Sequence, residues 1–292
     1  MRSLKKAGSM ACPAAGLLLA AVLVLLMLPV RAYAGGYHAD NDAGNTMQGF
    51  PAAGSDETEM TNNRGTIGML YSSGHIANNY GTVEDSAGVI SVNCGTVKTQ
   101  RANRVGINRG TVEMITNTAV LAYNDTDGCV GENLTTVEMN YGTITTNVGT
   151  VTMYGGKIEE NTKTGKAVFE GAASQGTVVS NDGEVTVNGS TAKVYITTNT
   201  GKVTISNATV VMEENSGVVT LGDKGSLICT NNTGTVTKEE SAETYCSDCT
   251  NNYGTITFLM KSDKSFSSRK DYYRVVFSGD EGKASVIGGE MK

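Results

Sequence analysis

The 292 residues carry a formal net charge of −6, an acidic balance that excludes a general nucleic-acid binder, whose phosphate contacts need a surplus of Lys and Arg. With no Trp and only 2 His, the chain has little from which to build a His-based triad or a His-rich metal site.

Residues 1–34 read as an export signal. Arg2, Lys5 and Lys6 form a basic start, Ala14 to Val30 is an uncharged apolar run, and Ala32-Tyr33-Ala34 is a small-x-small cleavage site. The 17-residue run contains Pro29 and is short for a retained span, so no stable membrane insertion is expected after cleavage. A cut after Ala34 removes four basic residues and moves the charge from −6 to −10. It also leaves five cysteines in 258 residues, too few for a disulfide scaffold. Residues 35–61 are small and polar with no apolar period, and read as a flexible lead-in.

From residue 62 to 258 one unit recurs, Asn-x-Gly-Thr-Val/Ile, most openly in "NYGTITTNVGTVTMYGGKI" from Asn140 to Ile158. Its key apolar residue falls at Ile67, Val83, Val97, Val112 and so on to Ile256, most often at intervals of seven. Twelve Asn residues, among them Asn140 and Asn147, stand four before a key Val or Ile. A fixed short period of this kind means a stack of like units. The residue two after the key position is often apolar too, as in Val112/Met114, Val137/Met139 and Val151/Met153, and this alternation predicts a short strand with one face buried. Gly142 and Gly149 sit at the corners, where glycine takes positive φ at no steric cost. In-register Asn side chains are expected to form a hydrogen-bonded ladder along the stack.

The fold class is therefore all-β, a parallel β-solenoid (β-helix) of short strands. Three strands per coil give about seven coils and two give about eleven at roughly 4.8 Å per coil. The spacing leaves the choice open, and the irregular intervals favour the three-strand form. The array resembles the Asn/Thr/Gly-rich repeat regions of secreted and cell-surface proteins of Gram-positive bacteria, which implies a parallel β-helix. The seven-residue period also resembles the heads of trimeric autotransporter adhesins, from which this chain differs in placing Gly before the key apolar residue.

After Phe258 the pattern changes to a basic linker, "KSDKSFSSRK", and then to two strand-like runs around a Gly-containing turn, so 259–292 is expected to end in a β-hairpin-like cap. Cys246-x-x-Cys249 has neither a second close pair for zinc nor a βαβ context for redox work, and reads as a loop staple. Cys229 falls at the second buried position of its unit and reads as core. Asp125-x-Asp127-Gly128 opens like a calcium loop, but the twelfth position is Thr136 where an EF-hand needs Glu, so a protruding corner is expected. Thr-x-Thr triplets resemble those of ice-binding solenoids, but Glu84, Lys98 and Glu113 interrupt the outward positions. Glu159-Glu160 and Glu213-Glu214 are the nearest approach to paired carboxylates, and as neighbours in a strand they should face opposite ways.

No catalytic residue, cofactor or metal site is expected. The structural residues are Asn140, Gly142, Asn147, Gly149, Val151, Cys246 and Cys249. The expected function is that of a secreted or cell-surface, adhesin-like repeat protein presenting a Thr/Asn-rich face to a glycan or surface-protein partner. The alternative, by fold analogy, is a β-helix polysaccharide lyase or hydrolase.

Overall fold

The computed structural model describes residues 36–38, 40–52, 54–171, 175–239, 241–242, 245–259 and 283–287. The expected export signal and most of the expected linker and cap lie outside the described residues.

A five-residue strand makes too few ladder bonds to stand alone and is stable only when another copy of its unit stacks on it. The pairing follows from that need. Thr82–Ser86 lies in parallel between Thr66–Leu70 and Thr96–Gln100, while Val89–Asn93 lies between His75–Asn79 and Arg104–Asn108. Most strands thus pair with the strands two before and two after them in the chain, and two ladders run side by side. Two strands make one turn, and about 12 turns stack into the solenoid. The long strands Glu184–Asn199 and Lys202–Asn215 pass from one ladder to the other without a break.

This corrects the three-strand expectation. A turn spans 14 residues from Asn79 to Asn93 and 20 from Asn161 to Asn181, and the variation has a local cause. One edge of most turns is closed by the Asn-x-Gly corner, which leaves two residues between strands, as in Asn79-Tyr80-Gly81-Thr82. The opposite edge carries unrelated connections such as Tyr71–Gly74 and Arg101–Asn103, and there most of the length variation accumulates. A flattened coil with one regular edge and one free edge produces the same irregular intervals as a triangular one.

The Asn residues form two ladders, and these occupy opposite edges. In the first, Nδ2 donates to the next Oδ1 from Asn41 through Asn63, Asn79, Asn93, Asn108 and Asn124 to Asn140, at 2.7–2.8 Å. It ends where Asn140 Nδ2 meets Met153 Sδ at 3.2 Å. The second runs from Asn133 through Asn147, Asn161, Asn181, Asn199 and Asn215 to Asn232 at the same distances. Every side chain in both is at most 3 % exposed. Before Asn133 the second column holds Phe50, Leu70, Ser86, Gln100 and Ile115; after Asn140 the first continues as Met153, Phe169 and Val187. The regular edge therefore crosses the solenoid midway.

Burial departs from simple alternation in the first half. Strands such as Thr111–Ile115 bury their second and fifth residues, and the ladder pairs skip the third. Met114 and Met139 are consequently half-exposed instead of buried. Alternation does hold in Thr150–Met153 and Val218–Leu221, where all four positions pair in sequence.

The corner glycines also have a different cause from the one expected. Among the described residues positive φ in glycine occurs only at Gly44, Gly54, Gly156 and Gly171, so the Asn-x-Gly corners do not require it. Their constraint is stacking: a Cβ on Gly95 would fall on the Gly81 carbonyl oxygen of the turn before, and one on Gly142 or Gly149 would meet the Gly128 or Thr135 oxygen. The close approach lets one carbonyl serve two donors, as Asn79 O accepts the N–H of both Cys94 and Gly95 at 2.7 and 2.9 Å.

The solenoid begins before the expected boundary at 62. Thr46–Phe50 and Glu57–Asn63 already stack under Thr66–Leu70 and His75–Asn79, with Asn41 as the first ladder residue and Phe50 filling the core. At the other end, Lys283–Ile287 pairs in parallel with Thr255–Leu259, so this piece of the expected cap adds one more strand to the ladder. No helix long and apolar enough to cross a membrane occurs among the described residues.

Candidate functional site

The residues singled out from the repeat lie inside the molecule or at its corners. Asn140, Asn147 and Val151 are fully buried, and Gly142 and Gly149 pack on the turn beneath them. They hold the stack together.

Because the turns stack in register, any outward residue type repeated in the unit becomes a column with a spacing of about 4.8 Å. Thr46, Thr66, Thr82, Thr96 and Thr111 form one such column over five successive turns. Thr186, Thr204, Thr220 and Thr237 form a second, on the other ladder and in the other half. Each Thr column follows from the Asn corner that precedes its strands or from strand alternation. The exchange of the Asn edge and the relocation of the Thr column go together.

Charges beside these columns are paired across turns. Lys98 Nζ reaches Glu84 at 2.6 Å, Arg101 Nε reaches Asp85 at 2.6 Å, and Glu184 stands between Lys166 and Lys202 at 3.5 and 3.9 Å. The Glu84 carboxylate holds the Lys98 ammonium above its ordinary value. These pairs lie at the surface, where solvent and salt screen them.

Tyrosines occupy two kinds of position. Tyr123, Tyr141 and Tyr154 stack along the axis with ring centroids 5.4 and 5.8 Å apart, so their faces are turned toward one another. Partial burial pushes the Tyr123 and Tyr141 phenols up. Tyr80 and Tyr195 are about half exposed and carry a cation over the ring, Arg64 at 5.8 Å and Lys193 at 5.2 Å.

The acidic pairs behave differently from the expectation. Glu159 and Glu160 are both exposed, as are Glu213 and Glu214, because strands of this type place two outward residues between the buried ones. Glu159 is paired with Lys157 at 3.2 Å. Asp125, in the calcium-like stretch, receives Arg109 Nε at 2.9 Å and the Thr126 N–H at 2.8 Å. That stretch is an Asn corner of four residues, Asp125–Gly128, and Asn124 belongs to the ladder.

One constellation was not legible in the sequence. His75 Nε2 lies 2.8 Å from Ser91 Oγ, and Glu59 is the ladder partner of His75 on the other side. Burial lowers the imidazole pKa, and the Glu59 charge partly opposes this. A neutral imidazole on a serine hydroxyl is the pairing of a base with a nucleophile. His75–Asn79 and Val89–Asn93 are adjacent in the same ladder, each with a further neighbour on its other side. The signal for this contact is a 16-residue separation, meaningful only once the turn length is known.

Cys246 and Cys249 fall in the strand Tyr245–Asn252 and not in a loop. Three residues apart in an extended strand, their Cα atoms stand roughly 10 Å from each other, beyond disulfide reach. Comparison with family models, with curated proteins and with solved structures gives no match.

Proposed function

We propose that the chain is a secreted or cell-surface structural and binding protein, of adhesin type, whose outward columns engage a glycan or a surface protein. The reading rests above all on the two Thr columns, which repeat one hydroxyl and one methyl at the ladder spacing over four to five turns beside paired charges. Such a column offers many equivalent weak contacts to a partner that is itself repetitive, and avidity along a stiff rod replaces a deep pocket. The interior supports the same reading, since Asn ladders and aliphatic columns keep successive turns in register. The N-terminal segment supports export, and the resemblance to Gram-positive repeat proteins supports a partner at a cell surface.

The test is incubation of the mature protein with a glycan panel and with cell-wall and surface-protein fractions, scoring both retention and release of products. Retention without product is the expected result. Release of unsaturated or reducing sugars would transfer the chain to the polysaccharide lyase or hydrolase class.

A further inference from the structure

Position 229 and position 249 stand one above the other in the ladder, in the strands Gly225–Asn232 and Tyr245–Asn252. The inward column to which they belong passes through Ile158, Val178, Ile196 and Met212 and continues as Cys229 and Cys249. Large apolar residues thus give way to two thiols at consecutive positions. Both thiols are 1 % exposed. Cys229 Sγ donates to the Asn231 carbonyl at 3.3 Å and Cys249 Sγ lies 3.7 Å from Ser247 Oγ, while the ladder register sets the two cysteines side by side. In-register Cα atoms of a parallel ladder are about 4.8 Å apart, inside the range that a disulfide spans without backbone movement.

We propose that Cys229 and Cys249 are the site of a disulfide that ties consecutive turns at the C-terminal side of the solenoid. The bond would close a loop holding Thr235–Lys238 and the connection after it, which is the longest departure from the two-residue corner in that region. Terminal turns of a stack have fewer neighbours and open first, so a covalent tie there opposes unzipping where it starts.

The chemistry requires an oxidant of the disulfide class. One Cys thiolate attacks a sulfur of the oxidant, forming a mixed disulfide and expelling a thiolate. The second Cys thiolate attacks the protein sulfur, forming the Cys229–Cys249 bond and expelling the second thiolate. The two protein thiols lose two protons and two electrons, and the oxidant is reduced to two thiols. In the closed stack the hydrogen bond from Cys249 and burial push the Cys229 thiol up and make its thiolate scarce. Exchange therefore belongs to the stage of folding at which the last turns are still open.

The experiment refolds the mature protein with oxidised glutathione, blocks remaining thiols with an alkylating reagent after denaturation, and maps linked peptides without reduction. Lys238 separates the two cysteines, so trypsin releases them as two joined peptides. The expected result is a mass about 2 units below the fully reduced chain and a Cys229–Cys249 link that persists in Cys246→Ser. Reduction should lower the melting midpoint by about 5–10 °C in wild type. Cys229→Ala should leave Cys249 alkylated, and if that variant fails to fold, the wild-type map decides alone. Alkylation of both Cys229 and Cys249 in the oxidised sample would overturn the proposal, as would a link that disappears in Cys246→Ser.

Discussion

Replacement of two adjacent ladder residues by Leu, singly and together, measures what the Asn column contributes. Asn93 accepts from Asn79 at 2.7 Å and donates to Asn108 at 2.8 Å, with all three side chains fully buried. Asn93→Leu severs both ladder bonds and leaves two buried polar groups without a ladder partner, Asn79 Nδ2 below, which keeps only longer bonds of 3.3 Å to the Gly81 and Thr96 carbonyls, and Asn108 Oδ1 above. At about 1–3 kcal/mol for each such group, the substitution should destabilise by about 2–5 kcal/mol. Asn79→Leu does the same to Asn63 Nδ2 and Asn93 Oδ1, with a similar loss. The double variant severs three ladder bonds yet still leaves only two groups without a ladder partner, Asn63 Nδ2 and Asn108 Oδ1. Its loss should therefore resemble that of either single variant, giving a coupling energy of about 2–5 kcal/mol. Leucine is accommodated at the equivalent position of the other ladder, where Leu70 is fully buried, so volume is not the limiting term. Urea unfolding followed by circular dichroism supplies the four free energies of the cycle. Additive losses would refute the reasoning, since they would mean that each Asn is satisfied by its own corner and the column carries no energy between turns.

Three further outcomes follow from the packing. Val151→Asp places a charge at a fully buried position and should cost several kcal/mol, at least about 3, while exposed Thr150→Asp should cost under about 1, and equal melting shifts would contradict the register. Gly95→Ala drives a methyl into the Gly81 carbonyl and should cost about 1–3 kcal/mol; Gly155→Ala meets only Tyr141 Cδ1 at 3.4 Å and Gln175 O at 3.5 Å and should be nearly neutral by the same melting assay. Burial depresses the His75 pKa in the fold, so below the ordinary imidazole value of 6.5 the unfolded chain gains a proton that the folded chain resists, and stability falls as pH falls. His75→Asn should flatten that part of the stability profile, measured by urea midpoints between pH 7 and 5, and an unchanged slope would remove His75 as its source.

The parts of the fold visible in the sequence are those in which geometry repeats at short range. Asn79, Asn93 and Asn108 announce themselves because a two-residue corner fixes the distance to the next buried Val. Asn41, Asn124 and Asn161 belong to the same ladders, but their four-residue corners break the motif. The seven-residue period at Asn133, Asn140 and Asn147 suggested a uniform unit, yet it arises only where both edges carry Asn and the two ladders overlap. The most regular stretch of sequence is thus the least regular stretch of structure, the crossing of the Asn edge. Glycine was identified correctly at the corners for the wrong reason, because Gly81 and Gly95 are selected by the turn above and below, which local sequence does not display. The His75–Ser91 contact and the Cys229–Cys249 pair needed the turn length before either could be seen.

Deletion of one complete turn tests the central claim most directly, because the two-strand coil, the paired Asn ladders and the outward Thr columns all depend on it. Asn79 and Asn93 are 14 residues apart and occupy equivalent places in successive turns. Removing Tyr80–Asn93 joins Asn79 to Cys94 and brings Thr66–Leu70 beneath Thr96–Gln100 and His75–Asn79 beneath Arg104–Asn108, with every column preserved. Removing Tyr80–Ser86 alone takes out half a turn and moves every later strand to the opposite ladder. Thermal unfolding by circular dichroism should show the whole-turn deletion keeping a parallel-β spectrum and a cooperative transition, and the half-turn deletion losing both. A whole-turn deletion that fails to fold, or a half-turn deletion that is equally tolerated, would contradict the account.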